Sequence, residues 1–232
     1  MAITSLTPQE YQQLLIDRGY DLGHYGADGA WGARTSSASE AWFGRGENLV
    51  DPDRPRQPGV DVIPPEWLPD CHMVRIIGHW TAGSYTVSEE DREHYHFIVG
   101  GDLQIVRGDN SIKSNVATND ADGYAAHTLG CNSGSIGIAV ACMANAKESP
   151  FTPGTYPMTE SQWLMVAAVA ADCCRKYSIA VTPTTVLTHG EVQKNLNKPQ
   201  RGKWDINVLP WNPHVSAAQA NDLWRREVSA RL

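Results

Sequence analysis

Two histidines and one aspartate in this sequence have the chemistry of a metal centre. His79 closes the apolar part of residues 73–83, MVRIIGHWTAG; His189 follows a short run in VLTHGEV; Asp205 comes sixteen residues later in GKWDIN. Two imidazoles and a carboxylate form the kind of three-ligand set that holds zinc in hydrolytic sites, where a fourth position stays open for water. An ion so held lowers the pKa of that water towards neutrality and yields a hydroxide nucleophile at ordinary pH. The three lie far apart in the chain, and a histidine after an apolar run has an ordinary structural reading as well. A competing pair is His94 with His96: positions i and i+2 share one face of a strand, although no third ligand stands at a matching place. His24, His72 and His214 belong to no motif, and these three with His94 and His96 read as structural or surface residues.

Rigid elements must deliver these ligands. Val74, Ile76 and Ile77 predict a short buried strand that Thr81, Ala82 and Gly83 end just past His79. Residues 87–94 are polar and predict a helix; 96–99 and 103–106 flank Gly100-Gly101-Asp102 as a hairpin. The continuous apolar run 136–143, IGIAVACM, predicts a central strand. Thr159 with Gln162 three residues on predicts a capped helix whose apolar face is Trp163, Val166, Ala167, Ala170 and Cys174. A short strand over 186–188 ends at His189, a loop rich in Asn, Lys and Gly leads to Asp205, and 216–232 close the chain as a helix. Strands alternating with helices imply an α/β domain with a mixed central sheet and flanking helices.

Composition narrows the function classes. The chain has 232 residues, 41% hydrophobic and 19% charged, enough for one or two ordinary soluble domains. A formal net charge of −7 argues against a general nucleic-acid binder, which would carry a basic face. No window approaches the unbroken apolar length of a transmembrane helix, so no membrane insertion is expected. MAITSLTPQE has neither the basic nor the apolar region of a secretory signal. Cys71, Cys131, Cys142, Cys173 and Cys174 are odd in number and form no C-x-x-C, which predicts buried thiols in a protein made in a reducing compartment.

The N-terminal stretch is organised separately. Thr7, Pro8 and Glu10 open a helix carrying Tyr11, Leu14 and Leu15 and ending at Gly19; a turn-rich loop and a second short helix over 33–43 follow. The segment GYDLGHYGADGAWGARTSSASEAWF resembles the small three-helix peptidoglycan-binding module found at the ends of many cell-wall hydrolases, through Asp28-Gly29, Trp31-Gly32, Thr35 and Ala41-Trp42-Phe43. The resemblance implies a small all-α wall-binding domain over residues 1–45. Six prolines between 52 and 69 then predict an extended connector over 46–70, and the catalytic domain is expected over 71–232.

Five blocks in order, IIGHWTAG, HYHFIVGGDLQIVRG, AAHTLGCNSGSIGIAV, LTHGEV and GKWDIN, resemble the zinc-dependent N-acetylmuramoyl-L-alanine amidases, the type shared by phage lysozyme-like amidases and peptidoglycan-recognition proteins. The resemblance implies His79, His189 and Asp205 as ligands of a Zn2+ cofactor. It implies Lys203 as the cation beside the oxyanion, Tyr95 as a catalytic phenol, His127 as a groove histidine able to donate to the carbonyl or leaving group, and Asn132 as a contact to the muropeptide. Relatives with a glutamate base carry it in a G-I-E run; here that run is Gly137-Ile138-Ala139, which leaves the proton acceptor open. Gln200-Arg201-Gly202, in a segment long for the family, reads as part of the groove wall.

The expected protein is a monomeric hydrolase of bacterial peptidoglycan, cutting the amide between N-acetylmuramic acid and L-alanine. Its expected setting is a phage or prophage endolysin, made in the host cytoplasm and released to the wall through a holin. Two other readings stay open: a bacterial amidase that remodels or recycles wall fragments, and a recognition protein that binds muropeptide without cleaving it.

Overall fold

The structure, a computed structural model, describes residues 61–118 and 123–232, together with positions 9, 12, 13, 16 and 22. Apart from those five positions, the wall-binding module expected over 1–45 and the first part of the connector, 46–60, lie outside the described residues. The chain divides into two units, Met1–Arg56 and Gln57–Leu232, and the fold below is that of the second.

Five strands form one mixed sheet. β1 (Arg75–Trp80) lies between β4 (Ser135–Val140) and β5 (Val186–Thr188), parallel to both; β2 (Phe97–Val99) runs parallel to β4, and β3 (Ile105–Arg107) pairs antiparallel with β2. The order is β3-β2-β4-β1-β5. Every residue of β4 is buried, as are the five of β1 that follow Arg75. Strands covered on both faces read as continuous apolar runs rather than alternating ones, and that is why IGIAVACM was legible as a central strand.

The covering helices are α1 (Glu89–His94), α2 (Glu160–Tyr177), α3 (His189–Leu196) and α4 (Ala217–Ser229). Capping boxes at Ser88 with Asp91, Thr159 with Gln162 and Ser216 with Gln219 start α1, α2 and α4, each N-cap contributing on the order of 1 kcal/mol. The expected face of α2 is buried in full: Trp163, Val166, Ala167, Ala170 and Cys174 all turn inward. From α4, Trp224 is wholly buried. All five cysteines are free thiols, four of them buried. Among the described residues no helix is long and apolar enough to cross a membrane.

The structure departs from the sequence reading in two places, the connector and the segment after His189. Residues 61–70, expected as connector, pack on α2: Val62 and Ile63 N–H donate to Asp172 Oδ2 at 2.6 and 2.9 Å, Ile63 is buried, and Trp67 stacks on Phe97. Prolines spaced along an extended strip do not prevent it from burying the apolar residues between them. As expected of residues 87–94, His94 lies on a helix and ends α1, its Nδ1 meeting Glu90 O at 2.8 Å; it shares no strand face with His96, which sets the competing pair aside. The segment expected as loop after His189 begins with α3. Thr188 N–H donates to Glu191 Oε2 at 3.1 Å, a T-x-x-E start signal hidden by the shortness of the helix behind it.

α3 is fastened to the C-terminal helix by charge. Arg225 Nη1 meets Glu191 Oε1 and Oε2 at 3.0 and 2.8 Å, with both side chains only 10% exposed, and Arg225 Nη1 also donates to Val186 O. Removing one member of a buried pair strands the other charge, at a cost of about 3–5 kcal/mol. Arg225→Met is expected to destabilise the protein by that amount in urea unfolding, and Glu191→Gln in the same chain to recover most of the loss.

Candidate metal centre

Register places the first two candidate ligands side by side. Gly78 on β1 pairs with Thr188 on β5, so His79, the next residue of β1, and His189, the first residue of α3, stand at the same level along the sheet. Asp205 is brought to them by its own backbone and its neighbour. Gly190 N–H donates to Asp205 O at 2.6 Å, and Trp204 packs edge-on against Trp80 with ring centroids 4.6 Å apart. The fit is close: a Cβ on Gly190 would stand 2.3 Å from Asn207 Oδ1 and would displace that side chain.

The three donor atoms then form a triangle of equal sides. His79 Nδ1, His189 Nδ1 and Asp205 Oδ2 are each 3.1 Å from the other two. All three residues are buried, and among the described residues they are the one group of ligating side chains gathered closely enough to hold an ion. A tetrahedral zinc with its ligands at 2.0–2.1 Å spaces them about 3.3 Å apart, so the donor set fits the ion in type, number and spacing.

Electrostatics points the same way. Burial pushes His79 down to about 4, against the pull of the Asp205 carboxylate. Burial alone would raise Asp205, but the hydrogen bonds and charge of His189 and His79 hold its carboxyl well below the usual carboxylate range. At neutral pH the cluster therefore combines a neutral His79 ring with an ionised carboxylate, and metal binding requires deprotonated ligands of this kind.

Each imidazole is also held from behind. His79 Nε2 faces His127 Nδ1 at 3.2 Å and Thr128 Oγ1 at 3.3 Å, and those two atoms are 2.8 Å apart. His189 Nε2 faces Gln200 Oε1 at 2.9 Å. Outer partners of this kind fix the tautomer and aim of a ligating ring. Room for His127 comes from β4, since a Cβ on Gly137 would lie 2.5 Å from its ring. His127 is pushed well down by burial and by the neighbouring His79 and His96.

The other expected site residues fall at different distances from the triangle. The Tyr95 ring lies 5.1 Å from that of His79, and its phenol is pushed up by burial and by the Asp205 carboxylate. Lys203 is exposed on the turn before Asp205, where its charge is felt at His79. His127 meets His79 at the nitrogen opposite the triad. Asn132 lines a cavity of about 480 Å3 with Arg75, Tyr124 and Lys198, and no ligand of the triangle borders it; its Oδ1 accepts from Thr128 N–H at 2.7 Å. Ala139, where some relatives have a glutamate, is buried opposite His79 on β4 and offers no base. Thr128, Trp80 and Trp204 were not singled out in the sequence, and Gln200 was read as groove wall although it is buried against a ligand.

A family profile described as N-acetylmuramoyl-L-alanine amidase matches residues 72–205, a span that takes in the whole triangle. The chain belongs to that family. Among solved structures it is similar to the endolysin N-acetylmuramoyl-L-alanine amidase LysCS from Clostridium intestinale URNW, at 17% identity and a TM-score of 0.34, over 62% of this chain and 100% of that one. No curated protein sequence matches the chain. The amidase fold, a five-stranded mixed sheet flanked by helices, agrees with the α/β domain expected from the sequence.

His96 gives this amidase a pH dependence of definite sign. Its Nδ1 accepts from Gly137 N–H at 3.0 Å, and burial lowers its pKa from 6.5 to about 4. Because the unfolded chain takes the proton first, the stabilisation is fully present above about 6.5 and is lost as pH falls towards 4. Over that window it amounts to about 3 kcal/mol. Urea unfolding of chelator-treated protein is expected to show wild type losing more stability between pH 6.5 and 4 than His96→Gln does.

Proposed function

We propose that this amidase is zinc-dependent, hydrolyses the amide between N-acetylmuramic acid and L-alanine in bacterial peptidoglycan, and acts as a phage or prophage endolysin. The observation that carries the zinc reading is the equal 3.1 Å triangle of two imidazole nitrogens and one carboxylate oxygen. His79, His189 and Asp205 would hold the ion. When bound, zinc would supply Lewis-acid polarisation of the scissile carbonyl and a water acidic enough to attack at neutral pH.

The remaining work falls to the chain's own groups. Attack on the carbonyl builds negative charge, and Lys203, whose charge is felt at His79, would offset it from the exposed side. Tyr95, held protonated by burial and by Asp205, would donate a hydrogen bond to the same oxygen. His127, in contact with His79 Nε2, would act by steadying that ring. Asn132 and the cavity it borders, with Arg75 and Lys198 on its wall, would take part of the muropeptide stem. With Ala139 at the glutamate position β4 supplies no base, and the proton released on water attack would pass to the leaving nitrogen through solvent. The endolysin setting rests on the resemblance of residues 1–45 to a wall-binding module, which would keep the enzyme on the polymer.

Purified protein incubated with sacculi, with and without a chelator, is expected to release new L-alanine amino termini that the chelator abolishes and zinc restores. New reducing sugars would mean a glycosidase, and binding without either product would mean a recognition protein. His79→Ala, His189→Ala and Asp205→Ala are expected to abolish the activity. Lys203→Ala and Tyr95→Phe should lower kcat by about 10²–10³-fold at intact zinc content. Deleting residues 1–45 should depress activity on sacculi while sparing soluble muropeptide; equal loss on both would remove the endolysin argument.

A further inference from the structure

Gln200 stands five residues before Asp205 and is only 3% exposed. Its side-chain oxygen lies 2.9 Å from His189 Nε2, the nitrogen facing away from the triangle. The orientation of the amide is settled by its other end. Gln200 Nε2 donates to Leu129 O at 2.9 Å and to Lys198 O at 3.3 Å; carbonyls only accept, so the NH2 must face them and the oxygen must face the imidazole. An amide oxygen also only accepts. His189 Nε2 therefore carries the ring proton, and the lone pair stands on Nδ1, 3.1 Å from both partners in the triangle.

The residue is anchored for that task. Its backbone N–H donates to Gln193 Oε1 on α3 at 3.1 Å, and Leu129 lies next to Thr128, which touches His79. One side chain thus joins α3, the segment before Asp205 and the segment behind His79. A free glutamine on an exposed loop would have several rotamers to lose before it could hold an imidazole, whereas here its neighbours have already restricted it.

We propose that Gln200 is a positioning residue of the metal centre: it fixes His189 as the Nε2–H tautomer and aims Nδ1 at the ion. The inference rests on the zinc reading above. Outer partners of ligating histidines typically change metal affinity by about 10–100-fold when removed, and Gln200→Ala is expected to weaken zinc binding within that range.

The test measures zinc affinity of the full chain by competition with a chromogenic chelator for wild type, Gln200→Ala and Gln200→Glu, alongside thermal melting of the metal-free proteins. Glutamate keeps an oxygen for His189 Nε2 but loses both donations to Leu129 and Lys198. The proposal predicts that Gln200→Glu retains affinity within about threefold of wild type even where its melting temperature falls, while Gln200→Ala does not. Equal weakening in both variants would make Gln200 a loop anchor alone, and no weakening in either would remove it from the centre; each result overturns the proposal. Should a variant fail to fold, nitrogen NMR of zinc-loaded wild type decides. Ligation of His189 through Nδ1 with a slowly exchanging Nε2 proton supports the assignment, and ligation through Nε2 or a freely exchanging proton refutes it. Wild type that binds no zinc at all would fail the zinc reading itself, a result separate from any difference among the Gln200 variants.

Discussion

Everything in the catalytic unit answers to one electrostatic constraint: a buried carboxylate and two imidazole nitrogens aimed at a common point. Asp205 Oδ2, His79 Nδ1 and His189 Nδ1 are mutually 3.1 Å apart and shielded from solvent. Left to themselves, three atoms each rich in electron density can share too few protons to satisfy every contact, and burying an ionised group without full compensation is costly. A divalent cation resolves the conflict, and the fold holds the three side chains as if for that purpose. The His79 ring stays neutral at physiological pH because burial outweighs the pull of the aspartate.

The scaffold meets the constraint through neighbouring parallel strands in fixed register. Gly78 and Thr188 are register partners, so His79 and His189, which follow them, stand at one level, and the buried Glu191–Arg225 pair keeps α3 seated against the C-terminal helix. Behind the ligands, His127, Thr128 and Gln200 occupy the nitrogens that face away from the centre. Each of these contacts restrains a ring of the triangle from the side away from its centre.

Much of this was legible in the chain. The continuous apolar runs around Ile77 and Ile138 announced buried strands, and the spacing of Thr159 and Gln162 announced α2, because burial on both faces and capping leave local marks. The three residues of the triangle were singled out through their blocks, not their spacing, since the contact between His79 and Asp205 is a product of tertiary structure. Gln200 left no such mark: a glutamine in a polar segment looks like surface, and only the carbonyls of Leu129 and Lys198 around its amide reveal its orientation. The helix α3 went unexpected because it is short behind its Thr188 and Glu191 start, and residues 61–70 because proline suggested an extended connector where Asp172 captures the backbone.

The claim that carries the account is that one zinc ion sits among two histidines and an aspartate. Zinc-edge X-ray absorption on the loaded protein tests it most directly. The account predicts nitrogen and oxygen neighbours alone, at about 2.0–2.1 Å, with two of them imidazole. A sulfur shell at about 2.3 Å would place the metal on one of the five free cysteines and contradict the site.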